Sequence, residues 1–210
     1  MILETEGFSY EVLDKVYRIA DVLQRLGHVP FLRSRMSFFG GTALNFIIFH
    51  RIERLSLDLD FNFREVSSQV DWNEDRSKVD EYIKQILYDL RYGRDDIKMN
   101  VSYPLTRFEV KYPPNKSFKI EIAYTRRFPV LPSDDVRKFF HPRTNETCEI
   151  LIPKKEEIFG NKCSVLLARK TSRDLFDVSR IALQECNSEL VRKILVLENM
   201  MQGKENFANI

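Results

Sequence analysis

Cysteine, histidine and tryptophan are scarce: three Cys, three His and one Trp in 210 residues. Cys148, Cys163 and Cys186 are odd in number and widely spaced, no Cys-x-x-Cys pair occurs, and His28, His50 and His141 do not cluster with them. This argues against a disulfide framework and against a structural zinc site. The thiols read as buried or incidental. No apolar run is long enough to span a bilayer, so no membrane partner is expected. The opening MILETEGFSYEVLDK is acidic and amphipathic, unlike a secretory signal, and the expected location is the cytoplasm. Neither sign of charge dominates, with a net charge of +2, so the whole chain is no polycation. What is abundant is core material. Hydrophobic residues make up 43%, with 16 Phe and eight Tyr, enough for one large domain or two small ones.

The charge is unevenly placed. Residues 111–155 carry ten Lys/Arg (Lys111, Lys116, Lys119, Arg126, Arg127, Arg137, Lys138, Arg143, Lys154, Lys155) against five acids, a local +5. Two readings stay open: a basic surface for a polyanion, on one rim of a site, or a solvated face with scattered lysines.

The segment FSYEVLDKVYRIADVLQRLG places Val12, Val16, Ile19, Ala20 and Leu23 at helical spacing, and Gly27 is expected to end the helix. TALNFIIFHRI reads as a short buried helix. RLSLDLDFNF alternates, with Leu55, Leu57, Leu59 and Phe61 on one face and Ser56, Asp58, Asp60 and Asn62 on the other. VDEYIKQILYDLRY is a further helix. IKMNVSY, TRFEVKY and SFKIEIAY follow as strands, the last two joined through the turn composition PPNK. With the aspartate strand they could form one small mixed sheet. RFPVLPSDDVRKFFHPRTNET is Pro-rich and basic and reads as loop, CEILIP as a short strand, and everything beyond Pro153 as helix. The expected fold class is α+β, with an α/β core over 1–152 and a helical region over 153–210 that closes a cleft.

Chemistry concentrates in FFGGTALNFIIFHRIERLSLDLDFNF. Asp58 and Asp60 lie two apart on an extended segment, so their carboxylates share a face, where each raises the other's cost of ionisation. A divalent cation removes that cost, and magnesium favours one or two carboxylates plus water and phosphate oxygens. In FKIEIAY the same alternation puts Glu121 opposite the apolar Phe118, Ile120 and Ile122, a third acid if the strands are neighbours. Gly40-Gly41 before a helix start allows a ligand close to the backbone, and Thr42 stands nearby. Each element has a plainer reading, as the solvated face of an edge strand and a tight turn. Further along, Lys162 and Arg169 are seven apart on one helix face, Arg173 and Asp177 form an i,i+4 pair, and Asp174 lies in the first turn after Thr171. This reads as a structural brace or as support for a site.

The order Gly-Gly-Thr, helix, Asp-x-Asp and later Glu121 is similar to the nucleotidyltransferase superfamily related to DNA polymerase beta. GGTAL followed by RLSLDLDF resembles the signature of the AbiEii/AbiGii-type toxins, nucleotidyltransferase-like proteins of which several are the toxic half of toxin–antitoxin pairs. IPKKEEIFGNKCSVLLARKTSRDLFDVSRI resembles that family's Lys-bearing helix and its RDLxDL helix, with Cys163-Ser164-Val165-Leu166 a mild departure. The two blocks cover about a third of the chain. The resemblance implies a nucleotidyltransferase-like core with Gly40, Gly41, Thr42 and Ser56 at an NTP triphosphate. It implies Asp58, Asp60 and Glu121 as catalytic ligands of Mg2+ or Mn2+, and Lys162 as a catalytic point charge on the phosphates. Arg169, Arg173, Asp174 and Asp177 would support them. The implied activity moves a nucleoside monophosphate from NTP to an acceptor such as an RNA, a tRNA 3′ end, with an antitoxin protein as a further partner. A small-molecule or protein hydroxyl as acceptor, and a catalytically silent RNA- or protein-binding module, are the alternatives.

Overall fold

The computed structural model describes residues 7–51, 58–65 and 72–201. The chain divides into two compact units, Met1–Pro129 with Asp134–Ile152, and Val130–Ser133 with Pro153–Ile210. Among the described residues, no helix is long and apolar enough to cross a membrane.

The first unit is built on a seven-stranded mixed sheet. Its strands are β1 (Met36–Phe39), β2 (Leu59–Phe63), β3 (Ile97–Ser102), β4 (Leu105–Tyr112), β5 (Lys116–Ala123), β6 (Asp135–Phe140) and β7 (Thr147–Ile152), in the spatial order β3-β4-β5-β2-β1-β7-β6. The β2–β5 and β1–β7 contacts are parallel and the rest antiparallel. Alternation decides the faces. Leu59, Phe61, Phe108, Val110, Phe118, Ile120 and Ile122 have no solvent exposure, while Lys119 and Glu121 between them are part-exposed. Each large apolar side chain so buried contributes roughly 1.5–3 kcal/mol.

Helices α1 (Tyr10–His28) and α4 (Trp72–Asp89) belong to the same core through Val16, Ile19, Ala20 and Leu23, and through Val79, Ile83 and Leu87. Arg18 of α1 lies 4.4 Å over the Tyr112 ring and donates to the Tyr92 hydroxyl at 3.3 Å. Between α1 and β1 runs the single turn α2 (Pro30–Arg33), and after β1 the chain enters α3 (Gly40–Ala43), continued by a wider helical turn over Leu44–Ile48.

The sheet is larger than the four-strand expectation. Met36–Phe39, which carries no alternation because its first three residues are all buried, is a central strand. Asp135–Phe140, in the segment read as loop, is the edge strand β6, paired in full with β7. The start of β6 is held by a buried, two-pronged ion pair, Arg64 Nε and Nη2 to Asp134 at 2.7 and 3.0 Å, while Arg64 Nη1 donates to the Arg126 carbonyl. Gly27 does not end its helix, which runs on to His28 before Pro30. It permits close packing on β7 instead, since a Cβ there would sit 2.5 Å from Cys148 Sγ. Cys148 is free and buried, and burial pushes its thiol up to about 12.

The second unit contains α5 (Lys155–Arg169), α6 (Ser172–Ile181) and α7 (Ser188–Met201). Gly160 lets α5 and α7 approach, because a Cβ at 160 would meet Ile194 Cγ2 at 2.6 Å. Lys170, at φ 51°, ends α5, and Thr171 caps α6 by accepting the Asp174 N–H at 3.3 Å. Buried Glu157 accepts the backbone N–H groups of Val130 and Leu131, which ties that short segment to the helices.

Asp80 of α4 stands near Arg76, Lys84 and Tyr124. Burial raises its carboxyl to about 6, against the opposing pull of the Arg76 and Lys84 charges. A carboxyl raised in the folded state binds its proton more tightly there than in the unfolded chain. Its ionisation therefore costs stability above pH 6, and that cost disappears as pH falls towards 4. Asp80→Asn should raise stability by about 1–2 kcal/mol at pH 7.5, after discounting for partial exposure, with the gap to wild type closing near pH 4. Urea unfolding at both pH values checks this.

Candidate active site

The polar face of β2 and β5 gathers the acids. Asp60 is the register partner of Glu121 across the parallel pair, so their side chains leave the sheet on the same side. Asp58, one residue before β2, accepts the Lys119 backbone N–H on Oδ1 at 3.1 Å and has Lys15 Nζ of α1 at 3.8 Å. Glu121 accepts from Arg107 Nε at 2.7 Å, Arg107 being its register partner on the other flank in β4. Of the acids expected at the site, Asp58 and Glu121 are thus each met by a cation from another element. Among the described residues, no group of three or more His, Cys, Asp and Glu is drawn together closely enough to hold a metal ion as it stands.

The glycine pair adjoins these acids. Phe39, the last residue of β1, is in register with Asp60, so the chain enters Gly40 directly beside that carboxylate. Gly40 has φ 84°, a conformation costly for any residue with a Cβ, and a Cβ would collide with Asp60 Oδ2. Two independent demands therefore fall on glycine at position 40. Thr42 is fully buried and its hydroxyl donates to the Asp58 carbonyl at 2.6 Å, which fixes the entry to β2. Ser56, with Leu55 and Leu57, lies outside the described residues.

In the helical unit Lys162 is buried, and its ammonium lies 2.9 Å from Asp177 Oδ2, an ion pair that joins α5 to α6. Asp174 is buried and accepts the Thr171 hydroxyl at 2.7 Å, whereas Arg169 and Arg173 are exposed.

Sequence reasoning missed Arg107, Lys15 and the Lys119 amide. Arg107 could have been found. TRFEVKY and SFKIEIAY alternate in phase across a turn centred near Pro114, so counting back from that turn sets Arg107 opposite Glu121. Lys15 left no such signal, because it reaches Asp58 across tertiary structure. The basic stretch over 111–155 does not make one rim. Lys111 and Lys119 lie on β4 and β5 and Arg137 and Lys138 on β6, at opposite ends of the strand order. Lys116, Arg127, Arg137 and Arg143 pair with Glu11, Glu65, Asp135 and Asp21.

The family model "Nucleotidyl transferase AbiEii toxin, Type IV TA system" matches residues 21–208. Among solved structures the chain is similar to MenT4, a nucleotidyltransferase toxin from Mycobacterium tuberculosis, with a TM-score of 0.60 and 21% identity over 90% of this chain and 66% of that one. At that identity the likeness concerns the fold, and the chain spans just under two thirds of that structure. No curated protein matches it by sequence.

The Lys162–Asp177 pair sets up a double-mutant cycle. Lys162→Met removes the cation from a buried carboxylate and should cost about 3 kcal/mol, while Lys162→Met with Asp177→Leu should recover most of it. Denaturant midpoints of the four proteins check this, and equal, additive losses would reject a coupled pair.

Proposed function

Because the chain belongs to the AbiEii nucleotidyl transferase toxin family of type IV toxin–antitoxin systems, we propose that it transfers a nucleoside monophosphate from an NTP to an RNA acceptor, a tRNA 3′ end, and releases pyrophosphate. An antitoxin protein is the partner that restrains it. The observation that carries this reading is the register of Asp60 with Glu121 beside the side-chain-free Gly40.

The residues present suit a divalent cation. The donors are hard carboxylate oxygens from β5 and from the β2 segment, and the space over Asp60 Oδ2 is one that any Cβ at position 40 would fill. Asp58, Asp60 and Glu121 would hold Mg2+ or Mn2+, which when bound supplies positive charge to the triphosphate. The chain's own groups do the rest. Gly40 and Gly41 let the triphosphate approach the backbone. Thr42 keeps Asp58 in place through its bond to the carbonyl. A carboxylate of the set accepts the proton of the attacking hydroxyl. Lys162, which is paired with Asp177, is assigned to the phosphates on the family signature alone. Ser56 is assigned to the triphosphate on the family signature alone. Arg169 and Arg173, being exposed, are left with a supporting role at most.

Incubation with each labelled NTP, magnesium and total RNA tests the reaction. Label in the tRNA fraction is expected. Label in protein or in a small molecule would move the acceptor to the alternative class, and no transfer from any NTP would point to a silent module.

Asp58→Asn and Asp60→Ala test the acids themselves. Asparagine keeps the Oδ1 that accepts the Lys119 amide, so the fold should stand, and loss of one of two neighbouring negative charges should hold or slightly raise the melting temperature. Transfer should fall by a factor of about 100–1000, the effect of removing about 3–4 kcal/mol of charge stabilisation. A variant that melts well below wild type yet keeps its activity per folded molecule would show the aspartates to be structural.

A further inference from the structure

Among the described residues, Lys15 and Arg107 are the cations that meet Asp58 and Glu121. Lys15 is loosely associated with Asp58 at 3.8 Å, and both side chains are substantially solvated. Arg107 is the tighter of the two, with its Nε 2.7 Å from Glu121 Oε1 and its position fixed by the β4–β5 register rather than by a mobile loop. Its side chain is 44% exposed, so the guanidinium is anchored at one end and open to ligand at the other. A guanidinium has five N–H donors in a fork that fits carboxylate and phosphate equally well. A Glu121 carboxylate that accepts from Arg107 through Oε1 is a weaker ligand for a metal ion, and a cation entering beside Asp60 also meets the repulsion of the guanidinium.

We propose that Arg107 is a phosphate-binding residue of the nucleotide site that, while no nucleotide is bound, holds Glu121 and so weakens the cation site. The inference rests on the reading of Asp58, Asp60 and Glu121 as cation ligands. When a triphosphate takes the guanidinium, Glu121 is released to the cation. When a cation takes Glu121, the guanidinium is released to the phosphate. Cation and triphosphate therefore bind with positive coupling, and the coupling is reciprocal because both act on one ion pair. The exchange is one of ion-pair partners, with no covalent change.

The test uses the full chain, Mn2+ followed by electron paramagnetic resonance, and inorganic tripolyphosphate followed by calorimetry, so that no base preference enters. Arg107→Gln removes the charge while retaining two amide donors, and Arg107→Lys retains the charge without the fork. In Arg107→Gln, free Mn2+ should bind about tenfold more tightly than in wild type, and the Mn2+-tripolyphosphate complex about tenfold more weakly. Arg107→Lys should restore wild-type weakness toward free Mn2+ but only part of the affinity for the complex. Opposite signs are the signature, because a purely structural role would weaken both or neither. If Arg107→Gln shifts both affinities in the same direction, or leaves both within twofold while Asp60→Asn abolishes Mn2+ binding, the exchange is overturned and the cation site stands. If wild type binds no Mn2+ with or without tripolyphosphate, the exchange falls together with the cation site beneath it.

Discussion

Two carboxylates in register on adjacent parallel strands are a standing electrostatic cost, and much of the first unit is arranged around that cost. Asp60 faces Glu121 at the separation of neighbouring strands, where like charges destabilise. The pairing cannot slip, because the same register buries Leu59, Phe61, Ile120 and Ile122 on the opposite face, and a shift of one residue would expose all four. Hydrophobic burial therefore fixes the acids where they repel. Arg107 on the far side of β5, Lys15 from α1 and the Lys119 amide offset the cost at its two ends. Asp60 is bounded by Gly40, where any Cβ would collide with its carboxylate.

The same constraint explains why so much of the site was legible. Period-two alternation in LDLDF and FKIEIAY is what burial on one face imposes, so the shared phase of Asp58, Asp60 and Glu121 could be read directly from the residue order. The parallel pairing of β2 with β5 could not. It depends on α4, β3 and β4 intervening in the chain without intervening in the sheet, a matter of topology rather than local pattern. Met36–Phe39 was illegible for the opposite reason. A central strand covered on both faces has no polar phase, and four residues are too few to separate strand from helix by period. β6 was hidden by composition. An edge strand tolerates the charged residues that Asp135, Arg137 and Lys138 supply, and next to prolines such a segment resembles a loop.

In the helical unit local spacing suggested Arg173 as the counterion of Asp177, one turn away. The structure gives buried Asp177 the ammonium of Lys162 from another helix, with Arg173 exposed. Helical spacing says which residues are neighbours on a surface, but a buried carboxylate demands a partner that is buried too, and the packing of α5 against α6 supplies Lys162. The two helices that carry the second family-like block are thus joined by the charges within it. This binds a residue expected to act on phosphate to one expected to brace a helix.

The distribution of positive charge follows from the sheet as well. A run of residues with a net +5 is one patch only if its residues stay together in space. In β4 and β5 alternation leaves Lys111 and Lys119 on the polar side, while the chain then crosses to the other edge of the sheet before Arg137 and Lys138. Several cations of the run are matched with acids, Lys116 and Arg143 with Glu11 and Asp21 of α1, Arg127 with Glu65 and Arg137 with Asp135. Among the described residues, the cations that meet Asp58 and Glu121 are Lys15 and Arg107, drawn from separate segments and placed by strand register and helix packing rather than by position in the run. Attraction of a polyanion to this unit therefore depends on how those few cations are engaged, and a cation already paired with a carboxylate contributes to the field only once that carboxylate has another partner.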